Sequence, residues 1–164
     1  LHTTSPTVAW SLDSQTLYYS RPETPSGDLA SGKVINAKVY AHPLGQEQAS
    51  DQVLLAASNE PDRWYRPAVT EGGDLVVTSA RGTSGSTDVY VLRSGSPAVN
   101  LTSGLASSFV FLGGDSRTLT FETDWKAPQR RLVAWDREKK SWSEVVAEAR
   151  NSIAHSAWIG NRLL

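Results

Sequence analysis

The 164-residue chain contains neither cysteine nor methionine, and it has no long uninterrupted apolar run. Without cysteine it can form no disulfide and offers no thiolate ligand for zinc. A membrane-spanning helix needs about 20 predominantly apolar residues, so none is expected. Lys and Arg number 16 against 17 Asp and Glu, which leaves a net charge of −1. This balance predicts no nucleic-acid partner and no membrane-surface partner.

The missing methionine also bears on the extent of the chain. Its opening, Leu1–Pro6, carries neither the basic start nor the apolar stretch of a signal peptide. We therefore expect a segment of a longer polypeptide. The absence of cysteine does not decide between a cytoplasmic and a periplasmic location.

One short phrase, Asp-Ser-x-Thr-Leu, occurs twice, at 13–17 and at 115–119. A degenerate copy at 73–75 lies between them, so the 102-residue offset corresponds to two steps that average about 50 residues. The pair Val-Tyr recurs at 39–40 and 89–90 with an offset of 50. Each copy of the phrase reads as a tight turn between two strands. Periods of this length are typical of solenoids and propellers.

Short alternating strands flank each turn, and no helical segment intervenes. This pattern predicts an all-β fold, a partial β-propeller of about three four-stranded antiparallel blades plus the start of a fourth. The expected blades cover 7–57, 66–102 and 106–147, and the next begins at 152–164. Both faces of each blade are expected to be apolar. A β-sandwich also has short alternating strands, but it does not predict a phrase recurring at a blade-length interval.

One stretch fits two kinds of structure. Trp142, Val145, Val146, Ala149 and Ile153 follow helical i, i+3, i+4 spacing in an Ala- and Glu-rich context. The register of the repeats instead places a strand at 142–147. We predict the strand.

Several segments, taken in order, carry a family resemblance. They are Val8-Ala9-Trp10-Ser11-Leu12-Asp13 with Leu17-Tyr18-Tyr19-Ser20-Arg21, Lys38-Val39-Tyr40-Ala41-His42-Pro43-Leu44-Gly45 with Gln52-Val53-Leu54, and Phe121-Glu122-Thr123 continuing through Asp124-Trp125-Lys126 to Ala127-Pro128-Gln129-Arg130-Arg131-Leu132-Val133. Together they resemble the propeller domain of the prolyl oligopeptidase family of serine peptidases. The resemblance covers nearly the whole chain.

The resemblance implies a propeller of about seven blades that caps an α/β-hydrolase domain with a Ser/Asp/His triad. Such a cap admits short peptides and excludes folded proteins, and the peptidase cleaves after proline. The chain would then be a non-catalytic propeller segment with no hydrolase domain of its own. Its partners would be the remaining blades, that hydrolase domain and short proline-containing peptides. The alternative is a propeller that serves as a protein-interaction scaffold without peptidase activity.

The residues themselves predict no catalytic, cofactor-binding or metal-binding site. A nucleophile elbow needs Gly-x-Ser-x-Gly, and the sequences around Ser84 and Ser116 do not fit it. The Gly/Ser/Thr loop at 82–86 lacks the lysine of a phosphate-binding loop. His2, His42 and His155 lie far apart without metal-ligand spacing.

The remaining candidates have structural interpretations. Asp13, Asp74 and Asp115 are expected to accept hydrogen bonds from backbone amides of their own turns. Asn100-Leu101-Thr102 is a glycosylation sequon by pattern alone. The aromatic residues expected to pack between blades are Trp10, Tyr18, Tyr40, Tyr90, Phe111, Phe121 and Trp135, with Trp158 at the position of Trp10.

Four arginines near predicted strand ends, Arg21, Arg66, Arg81 and Arg117, are expected to be solvated or paired across blades rather than to line a channel. Three blades alone would leave apolar faces and sheet edges uncovered. We therefore expect self-association through these surfaces.

Overall fold

A computed structural model describes residues 8–22, 36–57, 60, 62–159 and 162–164. His2, the strand start expected at Thr7 and the loop at 23–35 lie outside these residues. The described part contains fourteen β-strands and one short 3₁₀ turn, Gln48–Ser50. No helix within it has the length and apolar character needed to cross a membrane.

The strands form three four-stranded antiparallel sheets and a two-stranded hairpin, each ordered as in the chain. Blade 1 contains β1 (Val8–Trp10), β2 (Thr16–Arg21), β3 (Lys38–Pro43) and β4 (Gln52–Ala56). Blade 2 contains β5 (Arg63–Val69), β6 (Leu75–Arg81), β7 (Asp88–Leu92) and β8 (Val99–Asn100). Blade 3 contains β9 (Phe109–Gly114), β10 (Thr118–Thr123), β11 (Arg131–Asp136) and β12 (Ser141–Val146). The hairpin contains β13 (Trp158–Ile159) and β14 (Arg162–Leu163). This architecture confirms the all-β partial propeller.

The ambiguous stretch is a strand. β12 pairs with β11 in antiparallel register, with Trp142 opposite Trp135. Their rings meet edge to face with centroids 5.1 Å apart. Aromatic cross-strand pairs of this kind stabilise a sheet, and this contact outweighs the local preference for helix.

β5 begins earlier than residue 66, where the sequence analysis expected the second blade to begin. It runs from Arg63, and Pro67 lies inside it opposite Val77 of β6. Proline removes a backbone donor, which a central strand does not tolerate. β5 is the first strand of its sheet and, among the described strands, pairs only with β6, so one edge of the strand needs no donor there.

The core lies between the sheets. Val39 of blade 1 packs with Tyr65 and Val77 of blade 2 in one cluster. A second cluster joins Val76 and Val89 of blade 2 to Phe121 of blade 3. Because alternate residues of a strand point to opposite faces, Val76 and Val77 serve the two different interfaces. Blade 2 is therefore apolar on both faces, as expected.

On the face of blade 1 that is turned away from blade 2, polar groups accompany the expected apolar surface. Tyr18 packs towards blade 2, so its neighbour Tyr19 faces the other way. There Tyr19 donates its hydroxyl to Asp51, whose other oxygen lies 2.6 Å from Nδ1 of His42. These polar groups satisfy one another because no other described sheet packs on this face.

Candidate functional site

The first strands of the sheets lie next to one another and form what we call the inner strip. β1 packs beside β5, a cleft separates β5 from β9, and the Trp158 ring of β13 covers Gly113 of β9. The exposed side chains of these strands are Val8, Trp10, Arg66, Val110 and Ile159. The inner strip thus presents apolar side chains and one cation.

The cleft between β5 and β9 has a volume of about 510 Å³. Several of its polar side chains already have partners. Asp124 accepts the Ser108 amide at 2.7 Å, and Arg130 donates to Glu122 at 2.8 Å. The guanidinium of Arg66 lies 5.1 Å from the centroid of the Trp64 ring. These contacts fix the walls of the cleft, and the described residues that line it include no nucleophile paired with a base.

The pair nearest to catalytic geometry is His42 with Asp51. A triad needs a serine hydroxyl on the other nitrogen of such a histidine. Within the described residues, His42 is hydrogen-bonded only to Asp51. Gln48 donates to Tyr19 at 3.1 Å. The pKa of Tyr19 is raised first by burial and second by its hydrogen bond to Asp51. The group ties the β3–β4 connection to its own blade.

The other sequence candidates for chemistry are also separated. Ser84 accepts the Ser86 amide within its loop, and Ser116 lies against Gly72. His155 is exposed and lies in the segment after β12. The described residues include no group of three or more His, Cys, Asp or Glu that could hold a metal ion.

Backbone hydrogen bonds align the first turns of the blades differently from the repeated phrase. In each turn, the backbone amide of the first residue donates to the carbonyl of the last residue. The side-chain oxygen of the first residue in turn accepts the backbone amide of the last residue. The amide–carbonyl pairs, each 2.9 Å apart, are Ser11–Thr16, Thr70–Asp74 and Asp115–Thr118. Four, three and two residues intervene, so the turns differ in length.

The expectation that Asp74 matches Asp13 and Asp115 is therefore wrong. Asp74 occupies the place of Thr16 and Thr118, and its carboxylate leaves the turn. It accepts Arg93 of its own blade at 3.2 Å and Arg137 of blade 3. By contrast, Asp13 accepts the Gln15 amide at 3.0 Å as expected. The pKa of Asp13 is lowered first by the hydrogen bond from the Ser11 hydroxyl and second by this bond from Gln15.

The aromatic candidates mostly pack between blades. Tyr18 and Tyr90 pack on the blade 1–2 core, and Phe111, Phe121 and Trp135 on the blade 2–3 core. Two differ. Trp10 is 47% exposed on the inner strip, whereas Tyr40 stacks on Tyr19 at 5.5 Å on the face of blade 1 turned away from blade 2.

Each of the four arginines contacts a nearby aromatic or acidic side chain. Arg21 lies over the Tyr40 ring at 4.5 Å, and Arg81 pairs with Glu60 while remaining 61% exposed. Arg117 lies 3.9 Å from Glu138 and 4.0 Å from Asp136. Arg66 alone among them belongs to an inner strand.

The sequon has a structural explanation. Thr102 is buried, and its hydroxyl accepts the Val89 amide at 2.9 Å. Asn100 accepts the Thr102 amide at 2.9 Å and donates to Asp88 at 3.2 Å. These bonds close the turn after β8.

Sequence analysis missed Arg63. This side chain is only 9% exposed and reaches Glu60, Asp88 and Ser79. The bonds from Arg81 and then Arg63 lower the pKa of Glu60 to about 2. A lone arginine a few residues before a proline carries no signal of such convergence in the sequence, because its partners lie up to 25 residues away.

Comparison with known proteins is consistent with this architecture. Residues 1–164 match the family model described as the prolyl oligopeptidase N-terminal β-propeller domain. The chain belongs to this family. It is 27% identical to the prolyl endopeptidase of Elizabethkingia miricola over 146 residues, which cover 86% of this chain and 21% of the relative. The match to prolyl oligopeptidase A of Amanita bisporigera is 26% over 145 residues, covering 80% and 19%.

Solved structures agree. A structure from a study of two prolyl endopeptidases superposes with a TM-score of 0.81 at 29% identity, covering 95% of this chain and 23% of that one. Prolyl oligopeptidase B from Galerina marginata shares the fold with a TM-score of 0.81 at 18% identity, covering 92% and 22%. The chain thus spans about a fifth of the length of the relatives it matches.

Proposed function

We propose that the chain is a non-catalytic propeller segment of a prolyl oligopeptidase-like serine peptidase. In the parent it limits access to a Ser/Asp/His triad in a separate α/β-hydrolase domain, so that short proline-containing peptides reach the triad and folded proteins do not. The observation that carries this proposal is the match of residues 1–164 to the propeller domain of that family.

A cap of this kind must be rigid, and the contacts between blades support rigidity. The Glu71 amide donates to the Gly114 carbonyl at 2.9 Å and so joins blade 2 to blade 3. Gly72 lies so close to Ser116 that an added Cβ would be 3.0 Å from its backbone. Because these turns interlock, the inner strands keep a fixed spacing, which is what a steric filter requires.

The test uses the parent polypeptide. We expect it to cleave a short proline-containing peptide far faster than a long peptide with the same cleavage site. Deletion of the propeller should remove this length preference. Trp10→Ala, which trims the inner strip, should improve cleavage of the long peptide relative to the short one, and Leu44→Ala, at an exposed position outside the strip, should not. An unchanged length preference after deletion would contradict the proposal.

A further inference from the structure

A second cavity opens between the outer halves of blades 2 and 3. Its volume is about 340 Å³, which lies within the range of small-molecule sites, about 300–1,000 Å³. Val91 and Leu101 of blade 2 and Leu119 and Trp135 of blade 3 make it apolar. Trp135 is held by the edge-to-face contact with Trp142, so an aromatic surface is already in place for a ligand.

Cations line the same cavity. Arg93 follows β7, and Arg137 and Lys140 lie between β11 and β12. None of the described residues that line the cavity is acidic. Asp74 lies beside the cavity and accepts hydrogen bonds from both arginines. Lys140 forms no ion pair within the described part. Three positive charges therefore face one carboxylate.

Arg137 holds its positive charge in a buried position beside these cations. Its side chain is 9% exposed, and its Nε and Nη2 atoms have no hydrogen-bond partner among the described residues. Buried guanidinium groups are normally satisfied. A low-dielectric surrounding also strengthens the attraction of this charge for an anion.

The corresponding groove between blades 1 and 2 provides an internal comparison. Its volume is about 580 Å³, and Arg93 is the only charged residue among the described residues that line it. An apolar gap between outer strands therefore follows from the packing of successive blades. The additional cations belong only to the cavity between blades 2 and 3.

We propose that this cavity binds a carboxylate carried on an apolar or aromatic group. The apolar group packs against Trp135, and the carboxylate accepts hydrogen bonds from Arg93 and Lys140 at the exposed side. The ligand can be a small free acid or the C-terminal residue of a peptide. This inference does not depend on the proposed gating function, because it concerns binding to the chain itself.

The test is calorimetric titration of the 164-residue chain with N-acetyl-phenylalanine, its primary amide and a tetrapeptide acid ending in phenylalanine. The N-acetylated acid should bind saturably, and the amide about tenfold more weakly, because it lacks the charge. Tighter binding of the tetrapeptide acid would assign the site to peptide termini, and equal or weaker binding to small acids. Equal affinity for acid and amide, or no saturable binding, would overturn the proposal.

Variants locate the site. Lys140→Gln and Arg93→Gln should each weaken binding of the acid by roughly threefold to tenfold and leave binding of the amide unchanged. Lys139→Gln is the matched control, because Lys139 is 70% exposed, pairs with Asp136 and lies outside the cavity. Since Lys140 forms no ion pair among the residues that the structure describes, its variant is decisive even if Arg93→Gln unfolds. An equal effect of Lys139→Gln would indicate a nonspecific charge effect and contradict the site.

Discussion

Arg63 connects three strands of blade 2. It lies in β5 and donates to Ser79 of β6 at 3.0 Å and to Asp88 of β7 at 2.7 Å, and it also pairs with Glu60. Removing one member of a buried ion-pair network leaves the other charges uncompensated. This residue therefore matters more to blade 2 than the exposed arginines that the sequence drew attention to.

We expect Arg63→Met to lower the free energy of unfolding by about 3 kcal/mol, because Asp88 and Glu60 then lose their buried partner. Arg81→Met is the matched control: it also removes a partner of Glu60, but from a side chain that is 61% exposed. Its loss should be clearly smaller. Urea unfolding of both variants checks this. Equal losses would contradict the role assigned to Arg63.

Glu60 gives a prediction for pH. Its pKa falls from 4.5 to about 2 because of Arg81 and then Arg63. A carboxylate with a lowered pKa stabilises the fold above its unfolded-state value, and this contribution is lost as pH falls from 4.5 towards about 2. Glu60→Gln should therefore cost about 1 kcal/mol near neutral pH, since the pair is partly solvated. The difference should shrink steadily below about pH 4.5. A difference that stays constant in urea titrations over this range would contradict the assignment.

Among the elements, the hairpin β13–β14 depends on a glycine of another strand. A Cβ atom on Gly113 would overlap the ring of Trp158, whose Nε1 donates to Glu71 at 3.2 Å. The hairpin closes with two bonds between Ala157 and Leu164, at 3.0 and 2.9 Å. The hairpin can therefore pack on blade 3 because residue 113 has no side chain.

We expect Gly113→Ala to displace Trp158 and cost about 1–3 kcal/mol, the usual cost of overpacking. Hydrogen exchange of the Ala157 and Leu164 amides should become faster, while the amides of β10 remain protected. Gly85→Ala is the control, because nothing lies within 4 Å of a Cβ there. Unchanged exchange in Gly113→Ala would show that the hairpin does not need this contact.

The sequence predicted some elements well for a physical reason. Val39-Tyr40 and Val89-Tyr90 occupy matching places in their blades. Tyr40 pairs with Tyr19, and Tyr90 pairs with Val77. Both partners lie two residues after the first leucine of the second strand of their blade. Such packing positions repeat because neighbouring blades impose the same environment.

The turns are less regular, because loops tolerate changes in length. From Thr16 to Asp74 is 58 residues and from Asp74 to Thr118 is 44, so the assumption of equal steps misplaced Asp74. The cation-lined cavity was also not predicted. Arg93, Arg137 and Lys140 converge only when two blades pack.

At the scale of the whole molecule, the uncovered edges favour association. β4 and β12 are the last strands of their sheets, and Val53, Val145 and Val146 are exposed on them. Edge strands of this kind pair readily with other chains.

We expect light scattering to show oligomers that grow with protein concentration. Val145→Lys should reduce them, because a lysine on an edge strand opposes pairing. Ser141→Lys, at the start of the same strand, adds the same charge without removing an apolar side chain and should reduce them less. A monomer at high concentration would contradict self-association.

The most direct test of the central proposal, that this chain is a non-catalytic propeller segment, is a hydrolysis assay. The purified chain is incubated with a proline-containing chromogenic peptide, and the rate is measured against chain concentration with and without a serine-reactive fluorophosphonate. We predict no release above the peptide alone at any concentration and no covalent labelling. Hydrolysis that rises in proportion to the chain and is abolished as the fluorophosphonate labels it would contradict the account.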